Sequence, residues 1–209
     1  MAATHDERLV SRAEPREVHE PLIESWAWTR ALFAERTTVS GTIWLVVRLV
    51  LGWNWIVGSI EKLGSYANGW SDGSVVQAFA KGGLAQMTGD HPSVIGGTFG
   101  WNKAWLTWVA DTGYRFIGPA VPFIELSVGV LLVLGLFTGL AAALGLLLNL
   151  SFLFGGSDGV NPAYAVAAVA IIAAWRVAGS YGLDRWVLPT IGVPWTRSRA
   201  ASRRGPDLS

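Results

Sequence analysis

The sequence predicts an all-helical membrane protein: a four-transmembrane-helix bundle with an N-terminal interfacial helix and an extracytoplasmic segment between helices 1 and 2. Of 209 residues, 51% are hydrophobic and only 15% charged, and the mean hydropathy of +0.38 is too high for an ordinary soluble domain. About 20 residues at ~1.5 Å each cross a hydrocarbon core of ~30 Å. Four stretches approach that length: 41–63, 117–137, 139–155 and 160–178.

Arginine is concentrated in the two tails. Five arginines precede the first predicted span and five follow the last, whereas the intervening loop 64–118 carries Lys81, Lys103 and Arg115. Because basic residues favour the cytoplasmic side, both termini are expected to be cytoplasmic, as an even number of spans requires. No cleavable signal peptide is predicted, since about 40 polar residues precede the first span. We therefore expect a multi-pass protein of the cell membrane.

Three regions follow from this pattern. Residues 1–40 form a cytoplasmic tail, in which 22–36 is predicted to be a short interfacial helix. Residues 41–178 form the four-helix transmembrane domain, including the outer segment 64–118. Residues 179–209 form a cytoplasmic interfacial segment followed by a disordered basic tail.

The outer segment divides into two halves. The first half is rich in glycine and contains KGGLAQMTGDHPSVIGG, so irregular structure is expected there. In the second half, Trp101, Trp105 and Trp108 recur at positions i, i+4 and i+7. This spacing predicts an amphipathic helix lying on the outer surface.

Polar side chains also fall inside the predicted spans. Glu125 lies ~12 Å below the outer end of the second span, near the level of Asn54 and Asn149, while Arg48 lies nearer the cytoplasmic side. A charge in the bilayer core costs ~2.5 to 3.5 kcal/mol on insertion scales, so we expect Glu125 to point into the bundle. Further polar residues are predicted near the outer end: Glu61, Lys62, Asp158, Asn161 and Tyr164.

Packing alone offers a second interpretation of the same residues. Amides such as Asn54 and Asn149 also hydrogen-bond between helices merely to hold a bundle together. Glu61 and Lys62 equally suit a neutral pair that anchors a helix end. Glu125 equally suits a role in sealing the bundle beside an arginine or asparagine. The residues alone leave these alternatives open.

The composition also limits the cofactors. The chain has no cysteine, which excludes a disulfide, an iron–sulfur cluster and a thiolate metal site. All three histidines lie outside the predicted spans, which excludes a bis-histidine haem between the helices. No metal site and no nucleic-acid partner is predicted.

Three stretches, in order along the chain, resemble the DoxX/DoxD family of membrane proteins. They are RLVLGWNWIVGSIEKL (48–63), FIELSVGVLLVLGLFTGLAA (123–142) and the segment 149–195, which begins NLSFLFGGSDGVNPAYAV. The resemblance implies a four-helix protein related to the membrane subunit of thiosulfate:quinone oxidoreductase. That enzyme of sulfur metabolism joins two thiosulfates into tetrathionate and passes two electrons to membrane quinone.

Such chemistry suggests roles for the polar residues. Glu125 and Arg48 are the predicted catalytic residues, with Glu125 as the proton carrier. Aromatic walls and amides are expected to hold the quinone: Asn54, Trp55, Asn149, Phe152 and Tyr164. Cationic and amide side chains at the outer rim are expected to bind the small sulfur oxyanion: Lys62, Arg115 and Asn161.

Two main functions remain in competition at this stage. The first is a quinone-interacting membrane oxidoreductase subunit, with a second redox subunit or soluble enzyme as its partner. The second is a non-catalytic membrane scaffold that docks a soluble redox enzyme through segment 64–118. A small-solute transporter is a third possibility, but no internal inverted repeat supports it.

Overall fold

A computed structural model describes residues 21–88, 99–157 and 159–193. Every regular element within these ranges is helical, as the sequence predicts. The helices are α1 (Pro21–Phe33), α2 (Thr38–Gly64), α3 (Ser74–Thr88), α4 (Gly100–Trp108), α5 (Tyr114–Leu134), α6 (Thr138–Phe154), α7 (Asn161–Ala173), α8 (Trp175–Ala178) and α9 (Asp184–Thr190). A kink with non-helical backbone at Asn68 and Gly69 occupies Tyr66–Trp70, and a single π-helical turn occupies Val109–Gly113.

Helix α2 begins at a capping box. The backbone N–H of Ser40 donates to Thr37 Oγ1 at 3.1 Å, and the N–H of Thr37 donates to Ser40 Oγ at 3.1 Å. This exchange pairs backbone donors that a helix start otherwise leaves free. One stripe of α2 is buried at helical spacing: Ser40, Gly41, Trp44, Arg48, Leu51, Gly52, Trp55 and Ser59.

Two helices are long and apolar enough to cross a membrane. They are α2, with 27 residues, and the continuous helix Gly100–Leu134, with 35 residues. Helices α6 and α7 are apolar but shorter, at 17 and 13 residues. All four predicted spans therefore coincide with apolar helices, and two of those helices reach the length of a full crossing.

Helices α2 and α5 cross at a pair of glycines. A Cβ placed on Gly52 would lie 2.9 Å from the carbonyl oxygen of Gly129, and a Cβ on Gly129 would lie 2.8 Å from that of Gly52. No larger side chain fits at this separation, so the two backbones approach each other directly. Small residues allow such close packing where the surroundings are apolar.

The outer segment differs from its sequence-based description. Its first half contains the regular helix α3, in which Gly83 packs beside the carbonyl oxygen of Gly155 rather than forming a turn. The tryptophan-rich helix α4 is not separate from the bundle, because a π-helical turn joins it to α5. The fourth predicted span is interrupted at Ala174, between α7 and α8.

Several predictions lie outside the described residues. They concern the tail before residue 21, the glycine-rich stretch 89–98, Asp158, and the basic tail after residue 193.

Candidate functional site

A cavity of about 410 Å³ opens between α2, α3, α5 and the α6–α7 connection. Its wall combines charged, amide and aromatic side chains: Asn54, Trp55, Val57, Gly58, Glu61, Lys62, Phe79, Glu125, Phe152, Ser157, Val160, Asn161 and Tyr164. Seven of the ten predicted site residues lie on this wall: Asn54, Trp55, Lys62, Glu125, Phe152, Asn161 and Tyr164. Tertiary folding thus brings together residues from all four predicted spans.

The cavity contains a buried ion pair between α2 and α5. Lys62 Nζ lies 2.7 Å from Glu125 Oε2, and the side chains of Glu125 and Lys62 are 1% and 26% exposed. Lys62 Nζ also donates to the carbonyl oxygen of Gly58 at 3.3 Å and lies 5.7 Å from the ring centroid of Trp70. The inward orientation expected for Glu125 is therefore what the structure shows.

The identity of this ion pair differs from the sequence-based alternatives. Glu125 faces a lysine rather than an arginine or asparagine, and Lys62 does not pair with its neighbour Glu61. Adjacent helical residues point in directions about 100° apart, so Lys62 reaches α5 while Glu61 stays at the exposed edge of the cavity wall. Glu125 Oε1 has no hydrogen-bond partner among the described residues.

Trp55 supplies a second unpaired polar atom on the wall. Its Nε1 is buried and has no acceptor within the described part of the chain. The indole fits because α6 has no side chain at Gly145, where a Cβ would lie 3.3 Å from Nε1. Asn149, one turn further along α6, is also fully buried without a described hydrogen-bond partner, but it does not line the cavity.

The two asparagines on the wall bond locally. Asn54 Nδ2 donates to the carbonyl oxygen of Val50 at 2.8 Å, within its own helix, so this bond does not link two helices. Asn161 Nδ2 donates to the carbonyl oxygen and the Oγ of Ser157 at 3.1 and 3.0 Å. Both amides therefore offer the cavity their oxygen atoms more readily than their N–H groups.

Arg48 does not share the cavity with Glu125. It lies fourteen residues before Lys62, which is about 21 Å along α2. Its guanidinium is buried against the backbone of Gly135 and Gly182, where it interacts electrostatically with Asp184. The structure thus separates the two residues predicted to be catalytic.

Asp184 organises this opposite end of the bundle. Its carboxylate accepts hydrogen bonds from the backbone N–H groups of Phe137 and Thr138 at 2.6 and 2.9 Å. It therefore caps the start of α6 and ties the chain after α8 to the α5–α6 turn.

Arg115 also lies away from the cavity wall. It is exposed, and its Nε donates to the hydroxyl of Tyr114 at 3.0 Å. Arg115 is not among the residues that line the cavity, so it is not brought together there with Lys62 and Asn161, the other residues predicted to bind the oxyanion.

Phe79 is a wall residue that the sequence reasoning missed, because its segment was expected to be irregular. The pattern Val76, Phe79, Ala80 and Gly83 has helical spacing, and this signal could have identified both α3 and its inward face.

No family model, no curated protein and no solved structure matches the chain. The resemblance to the DoxX/DoxD family accordingly stays a prediction. Among the described residues, no group of three or more His, Cys, Asp or Glu side chains is arranged to hold a metal ion.

Proposed function

We propose that this protein is a quinone-binding subunit of a membrane oxidoreductase, with the quinone ring held in the cavity beside Lys62 and Glu125. The observation that carries the proposal is the buried Lys62–Glu125 ion pair, with one carboxylate oxygen left without a hydrogen-bond partner. Buried polar atoms are normally paired, and an unpaired one calls for an explanation such as a catalytic role or a bound water or ion. A ligand that accepts and donates hydrogen bonds would satisfy these groups.

The bilayer setting rests on the outward faces of the helices. Large apolar side chains are exposed on all four main helices: Val46, Trp53, Phe116, Val130, Leu147, Val166 and Val169. Water would disfavour so large an apolar surface, whereas lipid would cover it. The proposal therefore includes four crossings, with α6 and α7 completed by their flanking residues, and both termini on the cytoplasmic side.

The residues present suit a quinone ring. Its two carbonyl oxygens require donors: Lys62 Nζ would provide one, and Trp55 would provide the other through its unpaired Nε1, once the buried N–H turns from Gly145 toward the cavity. Its flat ring requires aromatic neighbours, and Phe79, Phe152 and Tyr164 line the cavity. A bound quinone would supply two-electron, two-proton chemistry that the side chains of this cysteine-free chain do not.

Glu125 is the residue of this wall suited to proton transfer. Its Oε2 faces the ammonium of Lys62, while its Oε1 has no described partner and would exchange a proton with a ligand that comes into contact with it. Lys62 would hold the carboxylate in place and balance its charge. The amide oxygens of Asn54 and Asn161 would accept hydrogen bonds from ligand hydroxyl groups.

Thiosulfate is the electron donor that the family resemblance suggests. Joining two thiosulfates into one tetrathionate releases two electrons, which matches the capacity of one quinone. The exposed position of Glu61 beside Lys62 makes the cavity mouth less favourable for an oxyanion, so a partner subunit would contribute to donor binding.

The proposal is tested by the quinone content of the purified protein. Quinone would be extracted from wild type, Glu125→Gln and Glu61→Gln and quantified per chain by mass spectrometry. Glu61 is the matched control, because it carries the same charge on the same wall but is exposed. We expect near-stoichiometric quinone in wild type and in the control, and at least a tenfold loss in Glu125→Gln. Lipid-background levels in wild type would overturn the proposal.

The donor needs a separate measurement. Thiosulfate would be added to the quinone-loaded protein together with its co-purifying partners, and the absorbance of the quinone followed. An unchanged quinone absorbance would show that thiosulfate is not the electron donor, but it would not contradict the quinone site.

A scaffold remains the second candidate function. Helix α4 exposes Trp101, Trp105 and Trp108 to 55%, 38% and 47%, a surface that suits either lipid headgroups or a docked enzyme. The scaffold alone predicts that Glu125→Gln leaves function intact while substitution of these tryptophans abolishes recovery of the partner.

A further inference from the structure

A second cavity adjoins the polar one and differs from it in chemistry. It has a volume of about 170 Å³ and lies between α3, the α4–α5 helix and α6. Eleven of its twelve lining side chains are apolar, and the exception is Ser151, whose hydroxyl donates to the carbonyl oxygen of Leu147 in its own helix at 2.9 Å. This cavity therefore offers burial without hydrogen bonding.

Two aromatic side chains lie at the border between the cavities. Phe79 and Phe152 line both of them, and their rings meet edge to face with centroids 6.3 Å apart. Phe79 can occupy this position because Gly155 directly follows α6, and a Cβ there would overlap the Phe79 ring. The polar and apolar cavities are thus two compartments with one shared aromatic wall.

The apolar cavity also reaches the outside of the helices. Val75 and Trp105 line it and are 36% and 38% exposed. In the proposed bilayer setting both residues belong to the outer segment, so the opening would lie at the level of the outer headgroups, where an apolar chain can pass into the membrane.

We propose that the apolar cavity is the binding subsite for the isoprenoid tail of the ligand whose ring occupies the polar cavity. This inference rests on the proposed quinone function and adds the path by which the ligand enters. The ring lies beside Lys62 and Glu125, the first part of the tail runs past the Phe79–Phe152 pair, and the rest of the tail lies in the apolar cavity and extends toward lipid. A ligand that is polar at one end and apolar at the other matches two adjoining cavities of those characters.

The test compares two quinones on three proteins. The tailless probe is 2,3-dimethoxy-5-methyl-1,4-benzoquinone, and the tailed probe is the same ring with two isoprene units. The variants are Ser151→Phe, which fills the apolar cavity, and Ser127→Phe as its matched control. Ser127 is an exposed serine on α5 with the same bond to its own helix, from Oγ to the carbonyl oxygen of Phe123 at 2.8 Å. Dissociation constants would be measured by calorimetry at one detergent concentration, so that micelle partitioning is equal.

We expect wild type and Ser127→Phe to bind the tailed probe about tenfold or more tighter than the tailless one, because the tail is buried. Ser151→Phe should reduce that ratio below about threefold without changing the affinity for the tailless probe. Val76→Phe fills the same cavity from α3 and should reproduce the result if one variant folds poorly.

The outcomes separate this inference from the function on which it rests. Equal tail preference in Ser151→Phe and Ser127→Phe, with Glu125-dependent binding of the tailless probe, would overturn the tail subsite alone. Failure of the tailless probe to bind wild type would overturn both the subsite and the quinone function.

Discussion

Replacing Lys62 by methionine removes the cation from the ion pair while keeping most of the side-chain volume. Glu125 would then be a carboxylate that is 1% exposed and faces no opposite charge. Its Oε1 already lacks a described hydrogen-bond partner, so nothing on the wall would replace the lost ammonium. The substitution should therefore lower the free energy of unfolding by more than the loss of one surface ion pair would.

The expected size follows from the burial of the two partners. Removing one member of a buried ion pair typically costs 3 to 5 kcal/mol, whereas exposed pairs contribute about 0 to 1 kcal/mol. Glu125 is buried and Lys62 is about one quarter exposed, so we expect a loss of about 3 kcal/mol, at the lower end of the buried range. For a chain of this length that corresponds to roughly 6 to 12 °C in Tm.

The assay is thermal unfolding in one detergent, followed by tryptophan fluorescence. The set comprises Lys62→Met, the double variant Lys62→Met/Glu125→Met, and the control Glu61→Gln, which alters an exposed carboxylate next to Lys62. The double variant should recover most of the lost stability, since it removes the unpaired charge. Additive losses in the double variant, or an equal loss in Glu61→Gln, would refute the argument that an uncompensated buried charge is the cause.

Three further predictions concern packing, capping and hydrogen bonding. Gly52→Val should lower the free energy of unfolding by about 1 to 3 kcal/mol or more in denaturant titration, because the valine side chain would clash with the α5 backbone. The control Gly64→Ala has no atom near its added Cβ, so its free energy of unfolding should stay within about 0.5 kcal/mol of wild type. Asp184→Ala should cost about 1 to 3 kcal/mol in the same titration, since two backbone donors lose their acceptor, and an unchanged midpoint would contradict this. Trp55→Phe should weaken binding of the tailless quinone up to about tenfold by calorimetry, whereas Trp53→Phe, on the exposed face, should not.

The helices could be predicted because hydropathy is a local property. The predicted spans 41–63, 117–137 and 139–155 lie within a few residues of α2, α5 and α6. The glycines of α3 misled the prediction, since glycine serves turns and close helix contacts alike. Only the approach of Gly83 to Gly155 shows which use applies here.

The sequence predicted which residues belong to the site better than it predicted which of them contact each other. A polar residue in an apolar span is costly unless it faces a partner, so residues such as Asn54, Glu125 and Tyr164 were identified from sequence alone. Arg48 met the same criterion yet lies at the other end of the bundle, against the backbone of Gly135 and Gly182. The free energy of placing a polar side chain in lipid indicates that the residue is buried. This free energy does not indicate which cavity or which partner the residue faces.

By itself, therefore, the sequence determined that the chain forms apolar helices and that Glu125 is turned inward, because both follow from the transfer cost of side chains along one helix. Only the tertiary structure decided that Lys62 is its partner and that Phe79 closes the cavity. The first contact depends on how far α2 is shifted and rotated against α5, which the contact of Gly52 with Gly129 sets, and the second depends on the approach of α3 to Gly155. A contact between distant residues depends on this packing, and no local pattern in either helix encodes it.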